Sequence, residues 1–136
     1  MSAGKGVSHS EMNSHPTQTL HLMQIWLVPA EQNTEPRYQQ MQFADSQQVA
    51  LVASPIEQEG SMHIKQNAAI YRLKFKQGEQ IRLTSDRPYG YFHLIDGQGA
   101  INEVALTTGD ALISKDESNL VFTALSDGQG LWFDLS

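Results

Sequence analysis

A chain of 136 residues that is 40% hydrophobic and 18% charged has enough apolar material for one core and too little charge for disorder. It has no cysteine, which excludes a disulfide scaffold, a thiolate nucleophile and any Cys-ligated zinc or iron–sulfur centre. The formal net charge of −6, from 9 basic and 15 acidic residues, speaks against direct binding to nucleic acid or to an anionic membrane, and no apolar run approaches the ~20 residues of a membrane span.

The opening MSAGKGVSHSEMNSH lacks the apolar stretch of a signal peptide, so a cytoplasmic location is expected. Residues 19–28 (TLHLMQIWLV) are apolar on both faces and read as a strand covered on both sides, ended by Pro29. Ala30 to Gln48 is Gln-rich and polar, and reads as a long ordered crossover or linker. Short strands are then expected at 49–54, 61–65, 69–76, 80–84, 90–95, 100–106, 111–114, 120–125 and 131–135. The clearest is 69–76, where Tyr71, Leu73 and Phe75 alternate with Arg72, Lys74 and Lys76. Turn signals separate the runs at Gln77-Gly78, Asp86-Arg87-Pro88, Asp96-Gly97, Thr108-Gly109-Asp110 and Asp127-Gly128-Gln129-Gly130. Many short strands, Gly/Asp turns and no helical periodicity indicate an all-β sandwich or small barrel; the double hairpin over 90–110 suits a jelly roll.

Few residues point to chemistry. In an extended His9-Ser10-Glu11, positions i and i+2 project to one face, so an imidazole and a carboxylate converge as two members of a 2-His-1-carboxylate set. His15 and His21 are candidate third ligands, although His21, inside the apolar run, reads more naturally as a hydrogen-bonded core residue. Trp26 and Gln24 read as packing residues, and His93, mid-strand with no second ligand nearby, reads as core or surface. No dinucleotide-binding, P-loop, nucleophile-elbow or zinc-protease motif is present.

The stretch MSAGKGVSHSEMN, the strand-like LHLMQIWLVPAEQ, the linker Glu35-Pro36-Arg37-Tyr38-Gln39-Gln40 and the terminal LWFDL together resemble the pirin family. That resemblance implies an all-β cupin fold, normally two jelly-roll barrels in one chain. It implies an N-terminal barrel that holds a metal, usually iron, in proteins tied to quercetin 2,3-dioxygenase chemistry or, in eukaryotes, to transcriptional co-regulation. Carried over by position, His9 and Glu11 match the third and fourth metal ligands; the first two belong to a His-x-His segment that has no counterpart here. The implied organisation is remnant strands of the first cupin at 1–29, a linker at 30–48 and the C-terminal cupin barrel at 49–136, a truncated or mis-started bicupin. Laid on the general cupin pattern, the ligand positions of this second barrel fall on Thr84, Asp86 and Gly90, and near Ser118 or Asn119, so no metal is expected there.

From this the sequence leads to a non-enzymatic cupin module, homodimeric through its orphaned apolar strand, with a protein partner as a further expectation. The alternative is an iron-dependent quercetinase-like dioxygenase whose site is completed across a dimer; iron or another divalent metal is the expected cofactor only in that case.

Overall fold

Alternation of apolar and polar side chains sets the register of the central strands. In the computed structural model, which describes residues 1–58 and 60–136, ten strands form and no described residue is helical. They are β1 (Val49–Ser54), β2 (Met62–His63), β3 (Ala68–Phe75), β4 (Gln80–Leu83), β5 (Tyr89–Asp96), β6 (Gln98–Ile101), β7 (Val104–Thr107), β8 (Ala111–Lys115), β9 (Leu120–Ala124) and β10 (Gly128–Leu135). One sheet has the order β2-β1-β3-β10-β5-β8 and the other β4-β9-β6-β7; all pairings are antiparallel except β1 with β2. This is a cupin jelly roll, the two sheets facing each other across a common core.

The inward faces fill that core. Leu73 and Phe75 of β3, Phe92 and Leu94 of β5, Phe122 of β9 and Trp132 of β10 are all buried in one cluster. Phe122 lies 4.7 Å from Phe75 and 5.0 Å from Phe92 between ring centroids. Full burial of each such side chain contributes about 1.5–3 kcal/mol. A second apolar cluster, with Ile70, Leu131 and Phe133 at its centre, lies on the outer face of the six-stranded sheet, and Leu27 packs against it from outside the strands.

Four expectations are corrected. Residues 19–28 form no strand: no neighbouring strand accepts their backbone hydrogen bonds, and Trp26 and Val28 stand 80% and 81% exposed. The run 100–106 is not one strand but the hairpin β6–β7, turned at Asn102, whose φ is 52°. Its side chain holds the turn by accepting from the Val121 N–H and donating to the Asn119 carbonyl. Of 61–65 only Met62 and His63 pair. Finally, β10 begins at Gly128 rather than Leu131, because Gly128 and Gly130 carry no side chain where the chain passes against the Asp96 carbonyl, Phe75 and Phe92.

The remaining N-terminal residues contain no strand; one isolated bridge joins Ser2 to Arg37. The 30–48 stretch is tied to the barrel by polar bonds: Arg72 donates to the Ala44 carbonyl, Lys74 pairs with Asp45, and the Ala30 N–H donates to the Lys65 carbonyl. No helix is long and apolar enough to cross a membrane among the described residues.

Candidate functional site

An extended backbone at residues 9–11 puts His9 and Glu11 on one side, with His9 Nε2 3.9 Å from Glu11 Oε1. Both side chains are open to solvent. The Gln24 side-chain amide nitrogen lies 3.3 Å from the same His9 Nε2. One imidazole and one carboxylate at this separation are donors of the kind that hold iron, but two donors do not make a site.

The other candidate ligands do not join them. His15 Nδ1 accepts from the backbone N–H groups of Thr17 and Gln18 at 3.3 and 2.9 Å, an intra-turn role that uses the lone pair a metal would need. His21 is exposed rather than a core histidine, because the strand that would have buried it does not form. No group of three or more His, Asp or Glu suited to a metal ion occurs among the described residues. His9 and Glu11 therefore stand as two donors of a kind that suits a metal, with no third beside them among the described residues.

Aromatic and aliphatic side chains fill the core of the barrel. At the cupin ligand positions, the Thr84 carbonyl accepts the Trp132 indole N–H at 2.9 Å, and Gly90 faces the Trp132 ring so closely that any Cβ would overlap it. The Asp86 backbone N–H donates to Asp134. Besides a depression of about 560 Å³ near Lys74, Lys76 and Asp127, an open one of about 430 Å³ is lined by Ser85, Asp86, Arg87, Pro88 and residues 116–118. Ser118 sits on its rim, with no imidazole beside it. His93 points outward from β5, stacked on Tyr91 with centroids 6.4 Å apart, and its Nδ1 has no partner.

Two polar centres escaped the sequence reading. Asp134, on the inward face of β10, accepts Arg87 Nη1 at 2.7 Å and the backbone N–H groups of Asp86 and Arg87. Strict alternation through LWFDL places an acid on the same face as Trp132, which was the available signal. The nearby Tyr71 phenol is pushed up by burial and, to a lesser degree, by the Asp134 and Asp86 carboxylates, which keeps it neutral. The other centre joins Arg37, Glu57 and His63, and spacing gives no hint of it.

Comparisons with known proteins follow the same division. Residues 51–135 match the quercetinase C-terminal cupin domain, and residues 1–27 match the pirin family. The chain is 38% identical over 137 residues to a quercetin 2,3-dioxygenase of Escherichia coli (strain K12), covering 99% of this chain and 59% of that one. It therefore spans about three-fifths of the length of the curated relatives it matches. Among solved structures, it superposes on YhhW from Escherichia coli with a TM-score of 0.77 at 32% identity, covering 82% of this chain and 48% of that one. A nickel(II) complex of bacterial pirin YhhW from Escherichia coli gives a TM-score of 0.73 at 33% identity, with 79% and 47% covered.

Proposed function

The chain belongs to the pirin family of cupins, and from that we propose that it supplies part of a metal-dependent quercetin 2,3-dioxygenase. The supporting observation is the His9–Glu11 pair, convergent and solvent-accessible, in a chain 38% identical over nearly its whole length to a quercetin 2,3-dioxygenase. In this reading His9 and the Glu11 carboxylate would be two ligands of the metal, with the Gln24 side chain beside the imidazole. The metal, when bound, supplies the Lewis-acid and redox capacity that dioxygen chemistry on a flavonol requires. The C-terminal barrel, solid with aromatic side chains, acts as scaffold rather than as a second reaction chamber.

In this reading the remaining donors are supplied from beyond the described residues of a single copy. A second copy of the chain is the occupant we favour, because Leu20, Leu22, Ile25, Trp26 and Val28 are exposed in the same run as Gln24, which meets His9, and a partner would cover them.

The test is metal analysis and quercetin consumption on the purified chain, before and after loading with iron or nickel, with a His9→Ala/Glu11→Ala variant alongside. Stoichiometric metal and flavonol loss, both abolished in the variant, are expected. Background metal and no turnover in the loaded wild-type chain would overturn this reading in favour of a non-enzymatic binding module.

A further inference from the structure

Three separate parts of the chain meet at His63, the second residue of the short strand β2. Arg37 Nη1 lies 3.2 Å from His63 Nδ1, and Arg37 Nη2 donates to Glu57 Oε1 at 2.7 Å. The backbone of Arg37 exchanges two hydrogen bonds with Ser2, at 2.8 and 3.0 Å, and the His63 N–H donates to Gln39 Oε1 at 2.9 Å. Arg37 thus ties the start of the chain and the linker to the edge of the six-stranded sheet, and the side-chain end of that tie is His63.

A guanidinium carries donors only and does not lose its proton in a protein. The contact with Arg37 therefore requires His63 Nδ1 to accept, which it does only as a neutral imidazole with its proton on Nε2. A proton on Nδ1 would turn the acceptor into a donor and set two cations against each other. The charged groups around His63 do not rescue that arrangement. Glu57 attracts a charged His63 only weakly: Arg37 engages it first, its hydrogen bond and charge being the larger causes that hold the carboxyl below the ordinary range, and its side chain is 72% exposed, so solvent screens it. Lys65, two residues along, adds another positive charge as it reaches the Glu35 carbonyl, and the Glu35 carboxylate is paired with Lys5.

We propose that His63 and Arg37 form a pH-sensitive latch, closed when the imidazole is neutral and released when it is protonated, which fastens residues 34–40 and the Ser2 segment to the β1–β2 edge of the sheet. The latch stands whether or not a metal is held at His9 and Glu11.

Hydrogen exchange on the whole chain at about pH 7.5 and about pH 5, corrected for intrinsic exchange, reads the latch directly. In the wild type, protection of the Arg37 amide falls about tenfold at the lower pH, the scale of one hydrogen bond to a charged group. A His63→Asn variant, whose Oδ1 accepts from Arg37 without titrating, keeps its protection at both pH values. An Arg37→Gln variant is unprotected at both, while amides of β3 and β10 in all three proteins stay protected and report an intact barrel. Wild-type protection that ignores pH, a pH-dependent loss that survives in His63→Asn, or wild-type protection in Arg37→Gln would each overturn the proposal.

Discussion

Arg87 Nη1 sits 2.7 Å from Asp134 Oδ2 with the two side chains only 17% and 2% exposed, which makes this the most deeply buried ion pair among the described residues. It joins the turn before β5 to the last strand, and Arg87 Nε reaches on to Asn67 Oδ1, so one side chain pins three segments. Replacing Arg87 by Met leaves the Asp134 carboxylate buried with backbone donors alone. Loss of one partner of such a pair costs about 3–5 kcal/mol. Urea denaturation of Arg87→Met is expected to show that loss, and Asp134→Asn a smaller one, since the partly exposed Arg87 keeps Asn67. An Arg87→Met chain within about 1 kcal/mol of wild type would show that the pair does not hold the turn.

Gly90 is required by its neighbour across the sheet. A Cβ there would overlap the Trp132 ring and press on Ser114 Oγ, and both lie on strands paired to β5. Gly90→Ala is expected to destabilise by about 1–3 kcal/mol and to loosen the Trp132 indole from the Thr84 carbonyl. Chemical denaturation together with the near-ultraviolet circular dichroism of Trp132 measures both effects. An unchanged midpoint would contradict this packing.

Acid sensitivity is built into the turns. Asp110 Oδ2 accepts from the Thr107 backbone N–H at 2.8 Å and from the Thr107 hydroxyl at 2.9 Å, which holds its carboxyl below the ordinary value of 3.8. Asp127 is held low in the same way, first by the Lys76 ammonium and then by the Gln77 N–H. Because the folded state binds these protons more weakly than the unfolded chain, their stabilisation is present above the ordinary carboxylate pKa and is lost as pH falls through the lower folded values. Melting temperatures measured from about pH 6 down to about pH 2 should fall at the acid end, and less steeply in Asp110→Asn. An identical slope in that variant would remove Asp110 from the account.

The exposed apolar run predicts self-association. Trp26 and Val28 are 80% and 81% exposed, and Leu20, Leu22 and Ile25 of the same run are exposed too, apolar surface that association would cover. Sedimentation of the wild-type chain at micromolar concentration is expected to show a dimer, and Trp26→Ser/Val28→Ser to shift it toward monomer. A wild-type chain that sediments as a monomer throughout would remove the second copy as the source of the missing ligands.

Much of the barrel was legible because its information is local. Tyr71, Leu73 and Phe75 alternate with charged residues, and the glycines at 78, 97 and 109 all take the positive φ that their turns require. The Asn102 turn was marked only by the polar pair Asn102-Glu103 inside an apolar run, because the groups that hold Asn102 lie on and just before β9, 17 and 19 residues away. The 19–28 run misled for the opposite reason: its composition suits a covered strand, but a strand exists only where another backbone accepts its hydrogen bonds.

By itself the sequence determined the strand-rich class, the turns and the His9-x-Glu11 pair, because side-chain alternation and glycine conformation act over two to four residues. The tertiary structure alone decided that His9 and Glu11 stand without a third ligand among the described residues, that Trp132 fills the space beside Gly90, and that Arg37 meets His63. Each of those depends on which distant segments the sheets bring together. Burial and hydrogen bonding at such meetings are set by register and packing across the two sheets, which no local pattern encodes.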